Sequence, residues 1–247
     1  MWYDPHVFMI DLHTHILPGL DDGAPDMQVA LAMARMAAED GVRAVCATPH
    51  AGLDPYYTTP AVIHEALGKL RQQIERYAID LTLFPGSEVS VTADLNAMAG
   101  SDELLTLNES RYLLAELPFY GGIEGVEQQI FQISVSGYRV VLAHPERAQA
   151  CQNDPGLLET LRYRGCLAQI NVGSIIGSEG RRVRRMCRQW LEDGLVDVIA
   201  SDAHNARRRR PVLTPAKEAV VEIGGPELWQ TLTVVNPALI LKDEDIP

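Results

Sequence analysis

Short runs of apolar residues alternate along the chain with longer stretches in which apolar residues recur at helical spacing. The short runs, bounded by glycine, proline or polar residues, are typical of buried strands, and the periodic stretches are typical of amphipathic helices. The predicted strands are 7–12, 44–47, 81–84, 112–115, 139–143, 167–172 and 196–200. The predicted helices are 26–40, 60–77, 123–136, 155–164, 179–193, 215–223 and 226–231.

This alternation of strand and helix predicts a parallel sheet covered by helices. Six of the seven predicted strands are followed by a histidine, aspartate or glutamate. In a closed βα barrel such strand ends meet at one face, where barrel active sites lie, whereas an open sheet spreads them along a line. We therefore predict a single α/β barrel domain over residues 1–247, with an N-terminal extension at 1–8 and a C-terminal tail at 237–247.

The first predicted strand ends in two histidines that are separated by one residue, in the sequence Asp11-Leu12-His13-Thr14-His15. Side chains at positions i and i+2 of an extended segment point to the same side. Both imidazoles can therefore face one point in space, and a bound metal ion is the simplest reason for that arrangement.

The ends of the later strands supply more side chains of the types that ligate metals. The candidate ligands are His13, His15, Asp22, His50, Glu88, Glu116, His144, Asp202 and His204. A lone histidine or glutamate is usually a solvated side chain, but five of the seven histidines fall at strand ends, which favours metal binding. His6 and His64 lie outside this pattern.

The donor set is imidazole and carboxylate without thiolate, which suits manganese, iron or zinc. Nine ligands exceed the need of one ion and fit a cluster of two or three. Such a cluster lowers the pKa of a bound water and neutralises charge on a phosphoryl group.

Composition narrows the classes of protein to consider. The 247 residues carry a net charge of −12, which argues against binding to nucleic acid or to an anionic membrane surface. Four scattered cysteines do not form a disulfide framework, and none is followed by arginine six positions later, which excludes a cysteine-nucleophile phosphatase loop. With neither a signal peptide nor a long apolar segment, we expect a reduced, cytoplasmic protein without membrane insertion.

Residues 11–24 (DLHTHILPGLDDGA) resemble the opening motif of the polymerase-and-histidinol-phosphatase (PHP) superfamily. More narrowly, the chain resembles the bacterial manganese-dependent protein-tyrosine phosphatases of the CpsB/YwqE type, which are associated with capsule and exopolysaccharide synthesis. The later motifs of that family are matched in order, from about residue 9 to residue 236, by residues 47–50, 85–88, 115–118, 142–147 and 201–205.

This resemblance implies a distorted (βα)7 TIM-like barrel that holds three metal ions, expected to be Mn²⁺, with iron or zinc as alternatives. By position, the first ion would be held by His13, His15, Glu88 and Asp202. The second would be held by Glu88, Glu116 and His144, and the third by Asp22, His50 and His204. A histidine often stands at the position of Glu116 in the wider superfamily, so the glutamate favours the tyrosine-phosphatase branch.

Arginines supply the second chemical element, because a guanidinium binds phosphate oxygens in pairs and stays charged at any working pH. Arg147 follows His144 by three residues, where the family places a phosphate-binding arginine. The second family arginine falls within the run 207–210, where spacing favours Arg209 and adjacency to proline favours Arg210. Four consecutive arginines can also be a solvated loop or a nucleic-acid patch, but in an acidic chain an anionic substrate or acidic peptide partner fits better.

The resulting hypothesis is a metal-dependent phosphatase that acts on phosphotyrosine of a protein, expected to be a bacterial tyrosine kinase. One alternative is a small-molecule phosphatase of the same superfamily, of the histidinol-phosphate type, which Glu116 and the run Asp21-Asp22-Gly23 disfavour. Another is a non-catalytic metal-binding module, which the complete ligand set disfavours. The sequence leaves the oligomeric state open.

Overall fold

A computed structural model describes residues 8–52, 56, 58–91, 95 and 104–247. Its described strands are all parallel to their neighbours and form two sheets, with the orders β1-β2-β3 and β4-β5-β6-β7-β8. The strands are β1 (Met9–Thr14), β2 (Val42–Ala47), β3 (Thr82–Pro85), β4 (Glu88–Ser90), β5 (Tyr112–Glu116), β6 (Arg139–Ala143), β7 (Leu167–Asn171) and β8 (Val198–Ala200).

Backbone hydrogen bonds connect the two sheets at both of their edges. Beyond β2, the amide of Glu88 donates to the carbonyl of Pro49 (3.1 Å), and the amide of Ala51 donates to the carbonyl of Glu88 (3.0 Å). At the other edge the amide of His15 donates to the carbonyl of Ala203 (2.8 Å). The two sheets therefore belong to one α/β domain, as the alternation of strands and helices predicts.

Helices follow most of the strands and cover their outer faces. They are α1 (Met27–Glu39), α2 (Pro60–Arg76), α3 (Val126–Val135), α4 (Gln149–Asn153), α5 (Leu157–Tyr163), α6 (Val172–Ile176), α7 (Arg181–Glu192), α8 (Lys217–Gln230) and α9 (Asn236–Leu241). Asp26 caps α1 by accepting a hydrogen bond from the amide of Val29 (2.9 Å), which satisfies one of the free amides at the helix start. Among the described residues no helix is both long and apolar enough to cross a membrane.

Apolar residues pack in two clusters, one on each side of the strands. The larger cluster joins strand residues such as Val45 and Leu113 to the helices. The smaller cluster fills the space between the strands with residues such as Leu12 and Tyr112, and α9 contributes Ile240 to it. The segment that the sequence leaves as a tail, 237–247, therefore begins with a buried helix that closes this inner core.

Four of the described strands and α-helices have no counterpart in the sequence prediction: β4, α4, α6 and α9. They are three to six residues long, too short to carry a recognisable period. The predicted gap between helices 215–223 and 226–231 lies within α8, where Gly224 and Gly225 leave helical geometry. Strand β1 contains a register shift between Asp11 and Thr14, and such a bulge re-aims the side chains that follow it.

Gly86, between β3 and β4, lies where the chain comes close to the inner core. A Cβ atom there would stand 2.8 Å from Cys46 Sγ and 3.1 Å from Thr48 Cγ2, both of which are buried. Gly68 on α2 has open space around it. These two glycines offer a matched pair for testing the close approach.

We expect Gly86→Ala to lower the free energy of unfolding by about 1–3 kcal/mol, because an added methyl overpacks a filled core. Gly68→Ala should raise it by about 0.5–1 kcal/mol, because alanine is the better helix former. Denaturant unfolding of both variants measures the difference, and equal stability of the two variants would contradict the packing described for Gly86.

Candidate metal centre

The ends of β1 and β8 and the start of β4 bring four buried side chains close together. His13 Nε2 lies 3.2 Å from His15 Nε2, 3.3 Å from Glu88 Oε2 and 3.4 Å from Asp202 Oδ1. His15 Nε2 lies 3.3 Å from the same glutamate oxygen and 3.4 Å from the same aspartate oxygen. The two imidazole nitrogens thus face the same two carboxylate oxygens at nearly equal distances, and these four side chains form the ligand cage.

The size and the chemistry of this cage fit a metal ion. His13 Nε2, His15 Nε2 and Glu88 Oε2 lie 3.2–3.3 Å from one another, so a point just outside their plane lies about 2.0 Å from each, the usual distance of imidazole and carboxylate ligands from a divalent metal. Both oxygens of Glu88 and Oδ1 of Asp202 are buried and make no well-aligned hydrogen bond within the described part of the chain. Buried carboxylate oxygens are costly without a counter-charge, and a cation would supply it.

A second group of ligand-type side chains shares Glu88 with the first. His144 Nε2 lies 2.9 Å from Glu88 Oε1, 4.0 Å from Glu116 Oε2 and 3.8 Å from Asp202 Oδ2. The backbone of His144 and of Asp202 is left-handed, with φ of 33° and 51°. Such conformations are costly for residues other than glycine and concentrate at functional sites.

A third group lies on the solvent side of the first. His204 Nε2 and His50 Nε2 stand 3.2 and 3.6 Å from Oδ1 of the half-exposed Asp22. His50 Nδ1 lies 3.2 Å from Glu88 Oε2, and His15 also belongs to this group. The structure therefore brings all nine candidate ligands of the sequence analysis into one cluster.

Hydrogen bonds to the far nitrogen orient three of these imidazoles. His13 Nδ1 lies 2.9 Å from Gln169 Oε1, and His15 Nδ1 lies 2.6 Å from Asp21 Oδ2. His204 Nδ1 lies 3.1 Å from the carbonyl oxygen of Asp202. Each acceptor favours a proton on Nδ1, which leaves the lone pair of Nε2 free to ligate.

Strand β7 supplies polar contacts that the sequence analysis missed. Gln169 Nε2 donates to Asn171 Oδ1 (2.8 Å), and Asn171 Nδ2 donates to Asp202 Oδ2 (2.7 Å). The amide of Asn171 donates to Oε1 of the buried Glu146 (2.9 Å). This network links the far side of His13 to Asp202, and the only sequence signal for it is that two amides alternate on an otherwise apolar strand.

The pKa shifts show that the buried carboxylates of the centre depend on neighbouring positive charge. Burial alone would raise the pKa of Glu88, but His13 and His144 outweigh it and hold that pKa well below its usual range. Burial is also outweighed at Asp202, chiefly by the charge of His13, so its pKa is well below the usual range. Burial and the charge of Glu88 raise the pKa of Glu116 to about 7. Carboxylates crowded in this way call for cations.

Two arginines stand at the edge of the cluster. Arg147 Nη1 lies 3.1 Å from Asp202 Oδ2, and Arg209 contacts the same oxygen. Phe119, also missed by the sequence analysis, supports this edge: its ring lies 4.8 Å from the Arg147 guanidinium and stacks on His144 at 5.8 Å. The exposed Arg210 lines the adjoining groove.

Asp21 provides a test of how the imidazoles are held. Asp21→Ala removes the acceptor for His15 Nδ1, and we expect metal affinity, measured by calorimetry, to fall about 10–100-fold. Asp26→Ala is the control: it removes only the α1 cap, costing about 1 kcal/mol of stability without changing metal affinity. Unchanged metal affinity in Asp21→Ala would contradict this role.

Two solved structures have a similar fold. One from work on YwqE of Bacillus subtilis and CpsB of Streptococcus pneumoniae, described as unique metal-dependent tyrosine phosphatases, superposes with a TM-score of 0.92 at 34% identity, covering 97% of this chain and 96% of its own. A histidinol phosphate phosphatase from Lactococcus lactis shares the fold at a TM-score of 0.55 and 12% identity, covering 88% of this chain and 94% of its own.

Two curated relatives are tyrosine-protein phosphatases. The chain is 35% identical over 238 residues to tyrosine-protein phosphatase YwqE of Bacillus subtilis, covering 96% of this chain and 93% of the relative. It is 30% identical over 241 residues to tyrosine-protein phosphatase CpsB of Streptococcus pneumoniae, covering 96% and 99%. Residues 9–242 match the family described as "Capsular polysaccharide synthesis, CpsB/CapC". The chain therefore belongs to the CpsB/CapC family of capsular polysaccharide synthesis.

Proposed function

We propose that the protein is a metal-dependent tyrosine phosphatase that hydrolyses phosphotyrosine in a protein substrate. One observation carries the proposal: two guanidiniums contact Asp202, a carboxylate that also belongs to the metal-ligand cage. Cations and fixed guanidiniums side by side form a site for a phosphoryl group, because both stabilise charge on its oxygens. The tyrosine-phosphatase relatives support the same reaction.

The architecture that we infer is a distorted (βα)7 TIM-like barrel. Only Gly86 and Ser87 separate β3 from β4. We therefore count these two segments as one barrel strand with a break, which gives seven strands. Backbone hydrogen bonds join the sheets at both edges, and α9 fills the interior at the end opposite the ligand cluster. In such a barrel the active site lies at the face formed by the carboxyl ends of the strands, and the candidate ligands would lie at or just beyond those ends.

We infer three ions, with Mn²⁺ as the expected metal. The first would be held by His13, His15, Glu88 and Asp202, the second by Glu88, Glu116 and His144, and the third by Asp22, His50 and His204. Four overlapping groups of described ligand atoms support a cluster of several ions, because the atoms within each group lie within 4.8 Å of one another. The groups are His13, His15 and Glu88; His13, His144 and Asp202; Glu88, Glu116 and His144; and His15, Asp22, His50 and His204. When bound, the ions supply Lewis-acid charge and activate water for attack on phosphorus.

The chain's own residues then bind and orient the substrate. Arg147 and Arg209 would hold the non-bridging phosphoryl oxygens, and the contact of Arg147 with Phe119 limits the freedom of its guanidinium. The leaving phenolate has a conjugate acid of pKa about 10, so it needs less help from a proton donor than an alkoxide does. Arg210 would stand beside this site in the adjoining groove.

The four cysteines are poorly suited to act as nucleophiles, which favours the metal-dependent reaction over a cysteine-thiolate mechanism. All four are buried, and burial raises the pKa of the Cys151 and Cys166 thiols to about 12. Burial also raises the pKa of Cys46 and Cys187 above the usual range. Thiols of this kind stay protonated at neutral pH and are poor nucleophiles.

The biological substrate that we propose is phosphotyrosine on a bacterial tyrosine kinase of capsule or exopolysaccharide synthesis, encountered in the cytoplasm. The family's description as capsular polysaccharide synthesis supports this role. The net charge of −12 also fits a protein partner rather than nucleic acid.

His13 and Arg147 separate metal binding from phosphate binding. We expect His13→Ala to lose metal and activity, because it removes one corner of the cage. Arg147→Ala should keep its metal and lose about a hundredfold or more in kcat/KM, the usual cost of a missing transition-state donor. Metal content and p-nitrophenyl phosphate hydrolysis measure both effects, with the exposed Arg164→Ala as control. Full activity in either site variant would refute that residue's role.

Substrate preference tests the reaction itself. The protein loaded with Mn²⁺ should hydrolyse p-nitrophenyl phosphate and a phosphotyrosyl peptide, and a chelator should abolish both activities because the ligand cluster then lacks its cations. Comparison with histidinol phosphate decides between substrate classes. Clear preference for histidinol phosphate would overturn the tyrosine assignment, and absence of metal-dependent turnover would favour a non-catalytic metal-binding module.

A further inference from the structure

The run of four arginines forms a loop that hydrogen bonds hold in one shape. The amides of His204 and Asn205 donate to the carbonyl of Arg209 at 2.9 and 3.1 Å. The side chain of Asn205 in turn accepts from the amides of Arg207 and Arg208 at 3.0 and 2.9 Å. The loop therefore presents its guanidiniums from a fixed backbone, which reduces the entropy lost when they bind a partner.

The far end of the loop is also anchored. The amides of Leu213 and Thr214 donate to Oδ2 of Asp40, the residue directly after α1, at 2.6 and 3.0 Å. Leu213 is fully buried in the larger apolar cluster. Both ends of the loop are thus attached to the body of the domain.

A groove next to the metal centre is lined by three of the four arginines. Arg208, Arg209 and Arg210 line it together with Arg147 and Asn171, which both contact Asp202. The fourth, Arg207, is exposed and does not line the groove. The groove therefore continues from the edge of the ligand cluster to the outer arginines.

The outer arginines of the groove carry charge that no ion pair within the described part of the protein balances, and Glu179, which also lines the groove, pairs with neither of them. The guanidiniums of Arg208 and Arg210 are exposed and form no ion pair with any described residue, whereas Arg147 and Arg209 both contact Asp202. In a chain of net charge −12 this is a local reversal of sign. Unbalanced guanidiniums beside an anion-binding site attract a further anion.

We propose that Arg208 and Arg210 bind an anionic group that flanks the phosphotyrosine in the substrate chain. This inference rests on the proposed function. The group is a carboxylate of aspartate or glutamate, or the phosphate of a second phosphotyrosine, because guanidiniums pair with either in the same way. The substrate class is thus an acidic or multiply phosphorylated tyrosine segment rather than an isolated phosphotyrosine.

Such contacts would change which substrates the protein prefers. Ion pairs of exposed arginines are weak, so each is expected to change kcat/KM about two- to fivefold, and charge reversal about three- to tenfold. The change should appear in KM, because these arginines lie beside the reacting group and not on it. Salt should weaken the preference, because exposed charges are screened over about 10 Å at 0.1 M.

Three phosphotyrosyl peptides of one length test the proposal on the Mn²⁺-loaded protein. They differ only in the residues around the phosphotyrosine: neutral, acidic, or carrying a second phosphotyrosine. Wild type should turn over at least one charged peptide faster than the neutral one. Arg208→Glu should lower kcat/KM for that peptide three- to tenfold through KM, and Arg208→Ala less. The neutral peptide and p-nitrophenyl phosphate should change less than twofold.

Arg207→Glu is the matched control, because it makes the same charge change in the same loop outside the groove. If it lowers turnover of the charged peptide as much as Arg208→Glu, the preference comes from overall loop charge and the groove assignment is wrong. Equal losses on all substrates would also overturn the inference.

The comparison of acidic with doubly phosphorylated peptide identifies the anion. A wild type that turns over all three peptides equally overturns this inference and leaves the proposed function intact. A wild type that hydrolyses no phosphotyrosyl peptide overturns the proposed function itself.

Discussion

The carboxylate of Glu88 is the group on which the rest of the site depends. Its Oε2 lies 3.3 Å from the Nε2 atoms of His13 and His15 and 3.2 Å from His50 Nδ1, and its Oε1 lies 2.9 Å from His144 Nε2. An ionised carboxylate removed from water is costly unless counter-charge surrounds it. The parallel strands provide that surrounding, because their ends deliver imidazoles from three sides to one buried anion.

Most of the fold follows from the sequence pattern because buried strands and amphipathic helices leave clear periodic signals. The exceptions have specific causes. Strand β4 begins at Glu88, after the break at Gly86, and offers three residues instead of an apolar run. Helix α9 is buried along residues 236–238 and 240–241, so it lacks the polar face that marks a surface helix. Short or fully buried elements depend on tertiary packing, which no local pattern reveals.

The candidate metal ligands can be predicted from residue types, but the groups that orient them cannot. Asp21 and Asp22 are neighbours in sequence, yet the first is aimed at His15 Nδ1 and the second, half exposed, faces His50 and His204. Such roles arise from turns that only the folded chain defines. Uncharged supporting groups, such as the amides of β7 and an aromatic ring against an arginine, are hidden because these residue types have many other uses.

The pairing of β1 with the segment after β8 makes assembly of the ligand cluster a late event in folding. His13 and Asp202 come from opposite ends of the sequence, and the amide of Asp202 donates to the carbonyl of His13 at 2.9 Å. The inner core is likewise complete only when Ile240 of α9 has joined Leu12. Contacts between such distant residues slow folding and make it cooperative. During synthesis, therefore, His13 and His15 meet Asp202 and His204 only after nearly all of the domain has left the ribosome.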